Sequence, residues 1–472
     1  MGDWHRSRDA SPRDRAEYAR EPARSERTGA VTGSSKLGAV VMAAGLGTRM
    51  KSALPKHLHP ILGRRMVDWV LAAAQELELG RLAVVASSST TDLYPGLDVA
   101  VQERPLGTGD AVRSARDLLE GRAQEILVLS GDTPLLTSAL LRKLIDAHRH
   151  DDAAATVLTF CPEDVRSYGR VLRDEKGGVS AIVEAGDASP EELAVREVNS
   201  SIYVFKAEKL WPALEKLEPA NAQGELYLTD VIRDLVAQNE PVSACVADDP
   251  VETEGVNTRV EMAAAAVILR DRINRTHMLA GVSIVDPAST WIEPCVELEP
   301  DSTIQPFCML RGRTHVRSGA EVGPQVVAID AEIGENVTVG PFCYLRPGTV
   351  LEAGAKAGTF VEIKNSQVGE GAKVPHLSYI GDSEVGAGTN VAAGAITANY
   401  RPELGPGKQK TKIGRNVRTG VHNSFVPPVE VGDGAVIAAG SVITDDVPPG
   451  ALAIARARQQ NKEDYAREPD GD

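Results

Sequence analysis

From Ile292 onward an aliphatic or small residue returns at every sixth position: Ile292, Leu298, Ile304, Leu310, Val316 and Val322. The register slips by one residue and resumes at Ile333, Val339, Leu345, Leu351, Ala357 and Ile363. Further slips lead to Val368, Val374 and Ile380, then to Val385 and Val391. A Pro/Gly/Lys-rich stretch at 401–412 interrupts the series, which returns at Ile413, Thr419, Phe425, Val431, Ile437 and Ile443. A six-residue period is neither helical nor a simple strand alternation. It predicts a parallel β-helix in which each hexad makes one flat side of a coil. The aliphatic residue points inward, and Gly beside it permits the corner. Val447-Pro-Pro-Gly450 closes the array, and the polar stretch 456–472 reads as a loose tail over a neighbour.

The first half follows a different pattern. Between Leu37 and about Val256, apolar runs alternate with amphipathic helical stretches, which predicts an α/β domain. The run 37–42 is continuously apolar and ends in a Gly-rich turn, as a buried parallel strand does. Further strands are expected at 82–86, 99–103, 126–129, 155–160, 201–205 and 242–247, with helices at 66–79, 109–119 and 138–148. The segment 258–279 is Ala-rich, contains no Gly or Pro, and reads as a connecting helix. The expected organisation is therefore a tail at 1–36, a first domain at 37–257, the linker helix 258–279 and the coil array 280–472.

At 472 residues the chain exceeds one ordinary core, which agrees with two domains. A net charge of −15 opposes general nucleic-acid binding, which needs a basic face, but leaves room for small anionic substrates. The five cysteines are scattered, odd in number and form no CxxC pair, so neither a disulfide framework nor a thiolate zinc site is expected. A reducing cytoplasm is the simplest compartment. No run of 18 apolar residues occurs, so no membrane span is expected. Residues 1–36 mix Arg, Asp, Glu and Ser with no apolar core of a signal peptide, and read as a disordered tail.

Chemistry-bearing residues cluster where α/β sheets bind ligands, beyond the carboxyl ends of the strands. The turn Ala43-Ala-Gly-Leu-Gly-Thr-Arg49 follows the first strand, and its small residues let backbone N–H groups approach a phosphate. Arg49 and Lys56 add positive charge. It is not a GxxxxGK[ST] loop. Ser130-Gly-Asp132 follows another apolar strand, where a carboxylate suits Mg²⁺ against a triphosphate, and Asn257 could add a neutral oxygen.

Together these motifs resemble the sugar-1-phosphate nucleotidyltransferases. More narrowly, they resemble the uridyltransferase half of the bifunctional bacterial enzymes that make UDP-N-acetylglucosamine. The resemblance is carried by Ala43-Ala-Gly-Leu-Gly-Thr-Arg-Met50, Pro55-Lys56, Gln102 with Leu106-Gly-Thr-Gly109, Gly131-Asp132, Tyr168-Gly-Arg170, Ile182-Val-Glu184, Glu197-Val-Asn199 and Glu254-Gly-Val-Asn-Thr258. It implies that Gln102, Gly107 and Thr108 read the uracil. Gly169, Glu184 and Asn199 would hold the N-acetylhexosamine, and Asp132 and Asn257 would bind Mg²⁺. Met42, Ala43, Ala44 and Gly45 would line the nucleotide-sugar site. The implied reaction is in-line attack by the sugar-phosphate oxygen on the α-phosphorus of UTP, with Arg49 and Lys56 stabilising the charge that develops. Asp110 departs from the family, which commonly has His there, and little consequence is expected.

In the coil array His376, in Val374-Pro-His-Leu-Ser-Tyr379, is the candidate general base for amine acetylation, since neutral imidazole suits that proton. Arg346 and Lys364 are nearby cations. These motifs are similar to the acetyltransferase half of the same family, whose fold is a left-handed β-helix. The resemblance gives the sugar phosphate to Arg346 and Lys364, with further sugar contacts from Tyr379 and Asn390. It gives acetyl-CoA to Ala393, Asn399, Tyr400, Val421, Ala439 and Arg456. It implies a homotrimer with its acyl-transfer sites between subunits, acting on glucosamine 1-phosphate and then N-acetylglucosamine 1-phosphate. It also implies that the product supplies peptidoglycan and lipopolysaccharide precursors. Gly420-Val421 departs from the family's Gly-Ser, and the 401–412 loop is longer than usual, which bears on acetyl-CoA affinity. Two other readings stay open on the residues alone: a monofunctional nucleotidyltransferase with a scaffolding β-helix, and a regulatory subunit that binds sugar nucleotides without turnover.

Overall fold

The computed structural model describes residues 36–465, apart from Leu46, Arg166, Ala220, Ala222 and Asp464. The expected N-terminal tail, except Lys36, and residues 466–472 of the C-terminal one lie outside the described residues. The chain forms two compact units that divide between Ile268 and Leu269, within the helix Arg259–Leu279.

In the first unit the strand Leu37–Ala43 is buried on both faces. Ala39, Val41 and Ala43 pack into one apolar cluster and Val40 into the opposite one, which is why the run shows no polar alternation. Arg81–Ser87 and Glu125–Ser130 flank it in parallel. The full order is Val242–Val246, Ala155–Phe160, Val198–Lys206, Glu125–Ser130, Leu37–Ala43, Arg81–Ser87, Asp98–Gln102. Val198–Lys206 runs antiparallel to both neighbours, so the sheet is mixed. The hairpin Arg170–Arg173 and Val179–Val183 attaches to it through Arg170 opposite Val198. This hairpin and the helices Ala207–Leu214 and Thr229–Ala237 were not anticipated from the periodicity. The expected helix 109–119 is two pieces, Thr108–Ser114 and Arg116–Leu119, divided at Ala115. Pairing of Ala43 with Ala86, Met42 with Ser130 and Ser87 with Gln102 brings four parallel strands to one carboxyl edge.

The second unit is a stack of coils whose strands form three parallel sheets. Ile292 pairs with Leu310 and Leu310 with Ala328, so one coil holds 18 residues, or three hexads. Val316 pairs with Ile333, a 17-residue coil, and this is the first slip. Ala328 occupies the inward position after Val322, so the array continues through the apparent gap. All the aliphatic residues of the hexad series are buried. Thr419 is half-buried, and its hydroxyl instead accepts a hydrogen bond from the Ala392 N–H at 2.8 Å. Ile396 pairs with Ser424, which makes that coil ten residues longer than an 18-residue one. The excess forms an excursion carrying the short turn Pro402–Leu404 and the bridge between Tyr400 and Lys408. Cys308 and Cys343 are buried among the inward residues, where burial pushes both thiols up to about 11. They are packing residues rather than nucleophiles.

The array begins under the C-terminal half of the long helix. Asn274 donates from Nδ2 to the carbonyls of Pro287 and Thr290, both at 2.9 Å, and the Arg270 guanidinium lies 5.0 Å from the Trp291 ring centre. An inward column this continuous cannot close around a void. Leu345→Ala should therefore cost about 2–5 kcal/mol, read as a lower midpoint for urea unfolding of the β-helix with little change in slope.

Candidate active sites

In the first unit Gly47, Lys56, Asp132 and Asn257 are held around one point. Gly47 has φ 65°, and a Cβ there would collide with Cβ of Lys56, so only glycine allows the lysine to approach. Gly131 donates to the Met42 carbonyl at 2.9 Å, which fixes Asp132 beside the end of the central strand. A Cβ on Gly131 would press on that same oxygen at 2.7 Å. Asn257 stands at the start of the long helix, where the carboxylate of Glu261 accepts from the N–H groups of Asn257 and Thr258 at 2.6 and 2.8 Å. The Lys56 ammonium bridges the Asp132 carboxylate and Oδ1 of Asn257, the latter at 2.9 Å, and Arg49 donates to that Oδ1 at 3.0 Å. Gly45, Gly47, Thr48, Arg49, Lys56 and Asn257 line an open cavity of about 270 Å³.

The electrostatics follow from this packing. Burial alone would raise the Asp132 pKa, but the Lys56 charge, its hydrogen bond and that of the Ser130 hydroxyl at 2.6 Å outweigh it and hold the carboxyl below its usual range. His57, next to Lys56, is buried and its pKa is pushed down to about 4, mainly by desolvation. The Asp132 and Asn257 oxygens both reach the Lys56 ammonium, so one carboxylate and one amide oxygen, donors of the type a divalent ion takes, lie close together. No group of three His, Cys, Asp or Glu suited to a metal occurs among the described residues, so a bound triphosphate would have to supply the remaining ligands.

The residues expected to hold the hexosamine are also brought together. Asn199 donates from its backbone to the Gly169 carbonyl at 2.9 Å, and a Cβ on Gly169 would stand 3.4 Å from Oε2 of Glu184. A bulge between Asn199 and Tyr203, with Ser201 at φ 61°, re-aims the Asn199 amide, which donates to the Tyr203 hydroxyl at 2.7 Å. Burial raises the Glu184 pKa, with Asp187 and Glu225 adding to it against the Thr229 hydrogen bond. The residues expected to read the uracil lie at the end of the strand Asp98–Gln102, where Gln102 donates to the Gly107 carbonyl at 3.1 Å. Gly107 has φ 117° and packs on Leu226, and Thr108 Oγ1 accepts from the Leu228 N–H at 3.0 Å.

In the second unit most of the assigned residues fall into two groups. Lys364 lies 3.6 Å from Asp382, whose other oxygen accepts from Asn365 at 2.7 Å. Asn399 donates to Asp382 and also to the Tyr379 hydroxyl, the latter at 3.2 Å. Arg346, one coil before Lys364, pairs with Glu362 at 2.9 Å. The other group is a column at a coil corner. Gly394 donates to the His376 carbonyl, His422 to that of Ala393, and Gly440 to that of Val421. His376, Ala393, Val421 and Ala439 therefore occupy successive coils, with Arg456 beside Gly440 in the next. Asn390 bridges Lys373 and Arg418 one sheet away, and Tyr400 stands apart on the excursion under the Lys408 ammonium, 4.2 Å from its ring centre. The His376 side chain is exposed and touches neither Lys364 nor Tyr379 by any hydrogen bond within the described chain. Asp382, buried and holding Lys364, Asn365 and Asn399 together, is the residue the sequence reading missed. Its only signal was a carboxylate at a corner, φ 50°, two residues after the inward Ile380.

With the geometry in place, comparison with known proteins decides the family. A family described as "MobA-like NTP transferase domain" matches residues 39–230, and "Bacterial transferase hexapeptide (six repeats)" matches 410–445. "Bifunctional protein GlmU" of Trichlorobacter lovleyi is 45% identical over 447 residues, covering 90% of this chain and 96% of the relative. That of Streptomyces coelicolor is 47% identical over 451 residues, covering 90% and 93%. That of Thermoanaerobacter pseudethanolicus is 43% identical, covering 91% and 97%. The chain belongs to the bifunctional GlmU family. The GlmU relatives span both units, so the nucleotidyltransferase fold and the left-handed β-helix occur together in the family as they do here.

Two outcomes follow from the packing. His57 binds a proton in the unfolded chain below about pH 6.5 but resists it when folded down to about 4. Its contribution is thus fully present above pH 6.5 and lost as pH falls toward 4, on the order of 3 kcal/mol in all. His57→Gln should flatten the unfolding free energy of the first unit over that window, checked by denaturant titration at pH 7 and pH 4.5. Asp382→Asn should weaken acetyl transfer at least tenfold through a higher KM for the amino sugar phosphate, because Lys364 and Asn399 lose their common anchor.

Proposed function

We infer that this protein makes UDP-N-acetylglucosamine in two steps. Glucosamine 1-phosphate is N-acetylated from acetyl-CoA, and the N-acetylglucosamine 1-phosphate formed is joined to UTP with release of pyrophosphate. The observation that carries the reading is the convergence of Asp132 and Asn257 on a single cation at the Gly-rich turn, in a chain that also aligns His376 with a column of small residues. A scaffold needs only its inward aliphatics and corner glycines. A scaffold does not require the charged and polar residues Arg346, Lys364, Tyr379 and Asn399, and their presence favours two activities over one.

Uridyl transfer belongs to residues 37–257 and acetyl transfer to 280–472, with 258–279 as the link. In the first, Gln102, Gly107 and Thr108 hold the uracil, Gly169, Glu184 and Asn199 the sugar, and Met42 to Gly45 the phosphate-bearing turn. Arg49 and Lys56 neutralise the charge that grows as the sugar-phosphate oxygen bonds to the α-phosphorus and pyrophosphate leaves with its bonding pair. Asp132 and Asn257 would hold Mg²⁺, which would supply charge neutralisation on the triphosphate.

In the second, Arg346 and Lys364 take the sugar phosphate, with Tyr379 and Asn390 on the sugar. His376 accepts the ammonium proton, which leaves a free amine to attack the thioester carbonyl, and the CoA sulfur departs. Ala393, Asn399, Tyr400, Val421, Ala439 and Arg456 contact acetyl-CoA. The exposed His376 and the open column fit a homotrimer whose sites are completed by a second subunit. The location is cytoplasmic, in keeping with five free cysteines, and among the described residues no helix is long and apolar enough to cross a membrane.

The test follows pyrophosphate from UTP, Mg²⁺ and glucosamine 1-phosphate, with and without acetyl-CoA, beside an N-acetylglucosamine 1-phosphate control. Release that depends on acetyl-CoA is expected. Release from the acetylated sugar alone would reduce the β-helix to a scaffold, with Val421 the first residue to revert to Ser. His376→Ala should abolish acetyl transfer and leave uridyl transfer intact, while Asp132→Ala should abolish Mg²⁺-dependent pyrophosphate release. Persistence of either activity in its variant would remove that assignment.

A further inference from the structure

Gln102 is buried at the end of the last parallel strand, and its side-chain amide is fully committed on one side. Nε2 donates to the Gly107 carbonyl at 3.1 Å and to Oδ2 of Asp110 at 2.9 Å. Both partners are obligate acceptors, a backbone carbonyl and a carboxylate, so the orientation of the amide follows from chemistry alone: NH₂ must face them. Oε1 takes no hydrogen bond from any described residue and is the acceptor left over.

Neither partner is free to turn away. The Gly107 carbonyl belongs to a turn clamped on three sides. Gly109 donates to the Leu226 carbonyl at 2.8 Å, Leu226 to that of Leu106 at 2.7 Å, and Leu228 to Thr108 Oγ1 at 3.0 Å. Asp110 is anchored through its other oxygen, which accepts from Arg113 at 2.7 Å one helical turn on. Arg113 thus holds Asp110, and Asp110 holds Gln102.

From this chain of contacts the geometry points to Asp110 as a positioning residue that sets which pyrimidine the site accepts. The inference rests on the reading that Gln102 faces the base. An amide locked with its oxygen outward can only accept. Uracil presents a donor, N3–H, on its pairing edge; cytosine presents a bare N3 lone pair there. To receive cytosine with its N3 at the same point, the amide must rotate, which turns Oε1 toward a carboxylate and a carbonyl at once. Asp110 therefore selects the imide form of the base through Gln102.

The experiment uses the full chain with N-acetylglucosamine 1-phosphate and Mg²⁺, and measures kcat/KM by pyrophosphate release for UTP, CTP and 5-methyluridine triphosphate. The last keeps N3–H but changes the ring elsewhere. Asp110→Ala should lower the UTP:CTP ratio roughly tenfold, the scale of one misdirected buried hydrogen bond, and leave the ratio of UTP to the methylated nucleotide unchanged. Should Asp110→Ala fail to fold, Asp110→Ser, whose hydroxyl can donate as well as accept, reads the same ratio with the same expectation. An equal fall for all three nucleotides with the ratios unchanged would make Asp110 a structural support only and overturn the inference. Gln102→Ala separates the two levels. If it collapses the UTP:CTP ratio while the Asp110 variants keep it, Gln102 reads the base without Asp110. If neither substitution moves the ratio, Gln102 does not face the base, and both readings fall.

Discussion

Parallel backbone pairing, at a spacing of 17 or 18 residues in most coils, governs the second unit. Once Ile292 is hydrogen-bonded in register with Leu310, every side chain beyond has its neighbours fixed, above and below. Inward positions become a continuous apolar column, and outward positions become rows in which chemistry can accumulate. Lys364, Asp382 and Asn399 meet because each belongs to a successive coil, although they are far apart in sequence. The 28-residue coil shows how tolerant this arrangement is: ten added residues leave the ladder as an excursion, and pairing resumes at Ile413 and Ser424 without loss.

The first unit solves the same problem by a different route. Its parallel strands end along one edge, and close approach there depends on glycines. Gly47 admits Lys56, Gly131 admits the Met42 carbonyl, and Gly107 admits Leu226. The charges they bring together are mutually dependent. Asp132 stays ionised in a half-buried place because Lys56 faces it, and Lys56 can be there because Gly47 has no side chain.

Much of this was legible in the sequence, for physical reasons. An inward side chain in a β-helix has no alternative environment, so its period survives in the residue types, and a strand buried on both faces reads as one apolar run. Ala328 drops out of the series because it is small enough to pass for a surface residue, and Thr419 hides in the series because its hydroxyl finds a backbone donor. The hairpin Arg170–Arg173 and Val179–Val183 and the antiparallel Val198–Lys206 were not read as such, because neighbours distant in sequence decide their pairing. Asp382 escaped notice for a related reason: a carboxylate looks solvated until the coils above and below are known to supply Asn399, Asn365 and Lys364. Motif residues such as Asp132, Asn257 and Glu184 were recognisable individually, but their pKa directions depend on packing that no local spacing encodes.

The corner column behaves as a ruler. Adjacent strands are separated by about 4.8 Å, so positions along it can be offset only in whole steps of that size. His376 and Ala439 stand three coils apart, roughly 14 Å, and Arg456 lies one step further. Any molecule that touches both ends must lie extended along the axis, and its length is measured in coils. Removing one complete coil would leave every inward residue inward and the fold closed, yet shorten the ruler by a single graduation. In this architecture stability and reach are therefore set by different features of the same repeat.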